Sequence, residues 1–222
     1  MSAAGRRSGL WREFVHENGW FLFWQKAVGA VLRRIRDGLL ARRLNTSQLR
    51  IGKHSKLAGL AHMRVDRGFS AGNGLWLEAV TEFAGFRYEP LLTIGANVNF
   101  SDQVHVACTN RVTVGDGVLA GSRVIISDHS HGDYAGETQS SPEIRPVQRR
   151  LSNDKTVVIG RNVWLGDGVA VLGGAEIGAG SIIGANSVVN GKIPAFCIAV
   201  GAPARPIRRW DADSAQWVRW TE

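Results

Sequence analysis

The chain has 222 residues, 44% of them hydrophobic, with 27 glycines against 6 prolines, which suits a globular core with many tight corners and excludes a disordered chain. Its 27 Lys and Arg outweigh 19 Asp and Glu, giving +8, but no nucleic-acid motif accompanies that charge, so DNA or RNA binding is set aside. Cys108 and Cys197 stand in no metal-ligand or redox spacing, which points to buried, reduced thiols in a cytosolic protein.

The first element is helical. From Trp20 to Leu44, Trp24, Val28, Val31, Leu32, Ile35 and Leu39 recur at helical spacing, interleaved with Arg33, Arg34, Arg36, Arg42 and Arg43. Gln25 and Lys26 interrupt the apolar run GWFLFW too early for a membrane span, and no small-residue cleavage site follows it. Residues 1–49 therefore read as an N-terminal amphipathic helical segment with two roles open. Either it packs on the rest of the chain or a neighbouring subunit, or Trp11, Trp20, Phe21, Phe23 and Trp24 enter the headgroup region of the inner membrane while the arginines meet anionic lipid. The second role is a peripheral contact through residues 11–44.

A different period follows. Between Val157 and Pro194, Ile159, Leu165, Val171, Ile177, Ile183 and Val189 recur every six residues. Neither a helix nor an ordinary strand repeats at that interval. Gly follows the aliphatic residue at 160, 166, 178 and 184, and Val163, Val169, Ala175, Ser181 and Ser187 sit four positions after it; Leu172 and Asn190 break the Gly rule. A short strand plus a turn fills six residues, so three units close a triangular coil, and stacked coils bury a narrow core. This is the parallel β-helix, an all-β solenoid. Ile94, Phe100 and Val106, then Val114, Ala120 and Ile126, extend the phase upstream, with weaker units near Ile51 and Leu57. The solenoid is expected over residues 50–195.

From Ile126 to Ile159 the step is 33 residues rather than six, so residues 128–156 must leave the coil as a loop. Residues 196–222 are expected to form a C-terminal tail with a ligand-binding turn and a short helix.

NVWLGDGVAVLGGAEIG, IIGANSVVNGKIP, the closing IAVGAPARPIRRW, and DHSHGDY at the root of the loop together resemble the hexapeptide-repeat acyltransferases, most closely their sugar and polysaccharide O-acetyltransferase branch, over about residues 92–209. The resemblance implies a left-handed β-helix, a homotrimer with its site between subunits, acetyl-CoA as acyl donor, and no metal requirement. Left-handedness rests on the resemblance alone, since general rules favour right-handed crossovers. His129 matches the family's essential histidine and suits a general base near neutral pH, with His131, two residues on, as the competing choice. Direct transfer then needs no covalent intermediate, because neither cysteine nor any serine elbow stands in a nucleophile setting.

By the same resemblance Gly184 and Ala185 lie along the pantetheine arm of the donor, Asn190 and Lys192 near the turn that meets it, and Arg205, with Arg208 as a further choice, beside its phosphates. Trp164 forms a wall near the reacting end. Asn99, His105, His131 and Tyr134 are the acceptor contacts, each able to hydrogen-bond sugar hydroxyls. For a carboxylate to orient the imidazole, Asp102 and Asp128 are available, and alternation along a strand disfavours Asp128 as the immediate neighbour of His129. The expected function is O-acetylation of a surface polysaccharide or its precursor, in the cytoplasm or peripherally at the inner membrane face. The alternatives are an N-acyltransferase on a nucleotide-linked amino sugar, and a zinc hydratase drawing on His105, His129 and His131 or a non-catalytic scaffold.

Overall fold

The computed structural model describes residues 3–221, without the side chains of residues 3–15, 18 and 23. It comprises two units, Met1–Leu40 and Ala41–Glu222.

A helix spans Ala3–Arg43, interrupted at Gly19, whose φ of 78° and ψ of 163° are not helical. After that break the apolar positions Trp20, Trp24, Val28, Val31, Leu32, Ile35 and Leu39 are all exposed, whereas Asp37 is buried. The side chains of Trp11 and Phe23 lie outside the described residues. Among the described residues no helix is long and apolar enough to cross a membrane.

In the second unit the chain visits three faces in rotation. The first face carries Arg50–Ile51, Ser70–Ala71, Asn99–Phe100, Leu119–Ala120, Trp164–Leu165, Ile182–Ile183 and Cys197–Gly201. The second carries Lys56–Ala58, Trp76–Ala79, His105–Cys108, Ile125–Ser127, Ala170–Val171 and Val188–Val189, and the third Met63–Val65, Leu91–Ile94, Arg111–Val114, Thr156–Ile159, Glu176–Ile177 and Lys192–Ile193. Every pairing between successive coils is parallel, and the register stacks like on like. Phe100, Ala120, Leu165, Ile183 and Ala199 form one inward ladder. Leu77, Val106, Ile126, Val171 and Val189 form the second, and Ile94, Val114, Ile159, Ile177 and Ile193 the third. This is the β-helix that the six-residue period predicts.

The Gly that follows the aliphatic residue at positions such as 160 and 166 has a steric cause. A Cβ on Gly160 would sit 2.6 Å from the Ala179 amide nitrogen, and one on Gly166 2.7 Å from that of Ala185. Coils approach too closely there for any side chain.

The corner between the second and third faces is the irregular one. Residues 80–90 leave the coil as a hairpin (Glu82–Phe83 with Phe86–Arg87), and residues 128–155 leave it as the long loop, while 190–191 make a shortened turn. The two excursions pack together: Leu151 donates its N–H to the Tyr88 hydroxyl at 2.9 Å, and the Phe83 and His131 rings meet edge to face at 5.1 Å.

The C-terminal expectation needs correction. Instead of a tail with a short helix, Cys197–Gly201, Ala204–Asp211 and Gln216–Arg219 form an antiparallel meander that extends the first face. Pro206 disfavours a helix interior, the open edge of the last coil supplies pairing partners, and Trp210 packs across the hairpin on Trp217 at 5.4 Å.

Ile177 is 1% exposed between Ile159 and Ile193, whereas its neighbour Glu176 points outward in an exposed pair with Lys192. Ile177→Ala is expected to cost about 2–5 kcal/mol of stability in urea unfolding at fixed protein concentration, and Glu176→Ala less than about 1 kcal/mol. Equal losses would contradict this inward register.

Candidate active site

At the irregular corner the strand Ile125–Ser127 ends and the long loop begins. Asp128, the first residue past the strand, is fully buried and reaches back across the corner to the preceding coil. Its carboxylate accepts the Thr109 N–H at 2.9 and 3.2 Å, the Asn110 N–H at 2.9 Å and the Thr109 hydroxyl at 3.2 Å. A further donor is the imidazole of His129, whose Nδ1 lies 2.8 Å from Oδ1. Burial pushes the Asp128 carboxyl up, but the hydrogen bonds from His129, Thr109 and Asn110 outweigh it and hold the group below the ordinary carboxylate range. With the carboxylate held in its ionised form, the short contact is a hydrogen bond donated by Nδ1–H, which turns Nε2 away from Asp128.

Alternation argues against this pair, and it does not apply, because the strand stops at Ser127 and both side chains turn to the same side of the corner. Asp102 instead caps a turn between the first and second faces, accepting the Asn73 N–H at 2.6 Å.

The His129 side chain is 11% exposed. The root of its loop is pinned, since Ser130 donates its N–H to the Ser152 hydroxyl at 2.9 Å and its carbonyl accepts the Ser152 N–H at 3.0 Å. His131 bridges to Leu151 and packs on Phe83, and its carbonyl accepts the Tyr134 hydroxyl. Tyr134 also accepts from Arg149 Nη1 at 2.8 Å, so it braces the loop. His105 lies on the second face, stacked on Trp76 at 4.2 Å, with Lys56 4.0 Å from the same indole. Burial lowers its pKa, Glu78 opposes that, and the nearby His129 and Lys56 lower it further. Its buried Nε2 has no hydrogen-bond partner among the described residues. The three histidines thus have three different sets of neighbours, and among the described residues no group of three or more His, Cys, Asp or Glu is arranged to hold a metal ion.

The remaining residues divide by face. Asn190 lies on the same corner as Asp128, two coils on, with Gly173 between them; a Cβ on Gly173 would meet the Asp128 carbonyl oxygen at 2.6 Å. Lys192 stands next to it on the third face, 3.0 Å from Glu176, both exposed. Gly184 and Ala185 form the corner between the first and second faces. Arg205 and Arg208 lie on the meander, and Arg205 is exposed. Asn99 and Trp164 stand in one outward column of the first face, separated by Leu119, and Trp164 is half exposed. In a triangular coil that face lies across from the corner holding His129, so one protomer does not bring Trp164 and Asn99 to the imidazole.

Neither cysteine suits a nucleophile. Burial pushes the thiols of Cys108 and Cys197 up, and the Asp128 carboxylate adds to the effect at Cys108. What the corner can do is accept a proton at an imidazole held by a sealed anion. Sequence reasoning named Asp128 but disfavoured it, and missed its donors Thr109 and Asn110 and the Phe83 and Tyr88 hairpin. The readable signal was the extra length between Ala79 and Leu91, which falls at the same corner as the long loop.

Residues 156–191 match the bacterial transferase hexapeptide family (six repeats). The WbbJ protein of Escherichia coli K12, named for O-acetyl transfer in lipopolysaccharide biosynthesis, is 36% identical over 187 residues, 84% of this chain and 91% of that protein. The galactoside O-acetyltransferase of the same organism is 31% identical over 63% of each chain. An N-acyltransferase from Bacillus cereus, crystallised with dTDP-4-amino-4,6-dideoxyglucose and coenzyme A, shares the fold with a TM-score of 0.50 at 18% identity, covering 73% of this chain and 80% of that one. A six-residue coil repeat together with a relative aligned along most of both chains identifies the protein as a member of the hexapeptide-repeat acyltransferases, built on their left-handed parallel β-helix.

Proposed function

We propose that the protein is an acetyl-CoA-dependent O-acetyltransferase acting on a sugar hydroxyl of a surface polysaccharide or its precursor, with His129 as general base. The observation that carries this reading is the 2.8 Å bond between His129 Nδ1 and the sealed Asp128 carboxylate. That bond fixes one tautomer and leaves Nε2 as the basic atom. His129 takes the hydroxyl proton as the oxygen attacks the thioester carbonyl. As the C–S bond breaks, the imidazolium returns the proton to the departing thiolate. Asp128 acts through His129 as a positioning residue, holding the ring and stabilising its transient charge.

The separation of His129 from Trp164 and Asn99 supports a homotrimer in which the corner of one protomer faces the first face of the next. In that groove Gly184 and Ala185 leave room for a thin pantetheine arm, with Asn190 beside it. Lys192 is free to exchange its exposed, weak pair with Glu176 for a phosphate, and Arg205 offers a planar fork to the nucleotide end. Asn99, His105, His131 and Tyr134 line the acceptor side. Use of acetyl-CoA puts the reaction in the cytoplasm. The likeness to a dTDP-amino-sugar N-acyltransferase keeps an amine acceptor as the second reading, and thiol release from acetyl-CoA against glycans, lipid-linked oligosaccharides and amino-sugar nucleotides separates the two.

His129→Ala is expected to lower turnover by about 10²–10⁴-fold with the oligomer intact by light scattering; near-normal turnover would sink the assignment. Asp128→Asn should lower kcat by about 10²-fold or more while leaving KM for acetyl-CoA within about threefold. Because the folded-state pKa of Asp128 is lowered, its ionised form stabilises the fold fully above the ordinary value near 3.8, and this is lost as pH falls through the lowered value. The stability gap between wild type and Asp128→Asn should therefore be widest at neutral pH and close in acid. Co-expression of His129→Ala with Trp164→Ala tests the shared site: each mixed trimer keeps one intact His129–Trp164 pairing, so random assembly restores about a quarter of wild-type activity. A mixture no more active than the two variants alone rules out sites shared between protomers.

A further inference from the structure

The face of the N-terminal helix that follows Gly19 has no part in the chemistry of the corner. At 100° per residue, Trp20, Phe21, Trp24, Val28, Val31, Leu32, Ile35 and Leu39 fall within one sector about 120° wide. Their exposures run from 53% to 79%. The opposite sector carries the buried Asp37 and the half-buried Ala30, Leu40 and Ala41. This reverses the usual order of a surface helix, in which the apolar stripe is the covered one.

Charge says what kind of surface covers it. From residue 20 to 43 the helix carries Lys26, Arg33, Arg34, Arg36, Arg42 and Arg43 against Asp37 alone, a net +5 within a chain of +8. Asp37 is itself engaged by Arg36 at 2.7 Å. In projection Arg36 and Arg43 flank one border of the apolar sector and Arg34 the other. A second copy of this helix would set +5 against +5. An anionic bilayer meets both demands at once, taking the aromatic and aliphatic side chains at the acyl boundary and the guanidinium groups at the lipid phosphates. We propose that residues 20–43 dock in the plane of an anionic lipid surface, apolar face inward. The stripe from Trp20 to Leu39 is about 28 Å long at 1.5 Å per residue, enough to lie along the interface.

The test uses the full chain and phosphatidylcholine vesicles with or without about 30% phosphatidylglycerol. Co-sedimentation is expected with the anionic vesicles, far less with phosphatidylcholine alone, and less again in high salt. The double variant Val28→Glu with Ile35→Glu should weaken binding about tenfold or more, with oligomeric mass and circular dichroism unchanged. Arg34→Gln with Arg43→Gln, which removes one flanking charge from each border and keeps the apolar stripe, should sharply reduce the preference for anionic over neutral vesicles. Equal sedimentation in all conditions would overturn the proposal, as would unchanged binding by the double variant. A smaller oligomer in the Val28→Glu, Ile35→Glu protein would overturn it in favour of a subunit contact. None of these readouts depends on turnover, so they stand or fall apart from the acetyl-transfer reading.

Discussion

Close stacking of successive coils is the constraint on which the rest of the solenoid depends. Each coil must return to the same three faces, because its inward aliphatic residue has to land on the one before it, as Ile177 lands between Ile159 and Ile193. The tolerance is small: at Gly160 and Gly166 the next coil passes where a Cβ would stand. Extra residues therefore have no place within a face. They must leave at a corner, and here 80–90 and 128–155 leave at the same one.

That corner is also where a buried charge can be sustained. A carboxylate without partners in a site as closed as that of Asp128 would take up a proton rather than remain an anion. Burial is indeed the largest single influence on Asp128, and it acts against ionisation. Two backbone N–H groups freed by the short Thr109 and Asn110 turn, the Thr109 hydroxyl and the His129 ring reverse the balance. The wall of the solenoid would not supply such donors, since its backbone groups are committed to neighbouring coils. An interruption of the repeat is thus what releases the N–H groups that make an anion, and through it an oriented imidazole, affordable to the fold.

The periodic part of the structure was legible in the sequence because steric repetition forces chemical repetition. Ile159, Leu165, Val171, Ile177, Ile183 and Val189 announce their faces by spacing, and all are essentially buried. What the sequence hid was aperiodic. Asp128 was disfavoured by strand alternation, a rule that lapses one residue after Ser127, and nothing local in the sequence marks that end. The hairpin of Phe83 and Tyr88 lacks a strong turn signal and gains its meaning from Leu151 and His131, far along the chain. The C-terminal meander was misread because its pairing partner is the edge of the last coil, a feature that exists only once the solenoid has formed.

A triangular coil also limits what one copy can do. Its faces are ladders of short strands, so outward residues such as Asn99, Leu119 and Trp164 line up along one face and cannot converge on a corner across the core. A groove with residues on both walls needs a second surface, and a corner carrying two excursions is the part of the prism that projects far enough to supply one. In the proposed homotrimer, symmetry would do the rest, each protomer offering its corner to one neighbour and its first face to the other. On the proposed reading, the irregular corner of this chain is one half of each site and Trp164 marks the other, so the same break in the repeat that sustains the Asp128 anion also sets where a neighbour must sit.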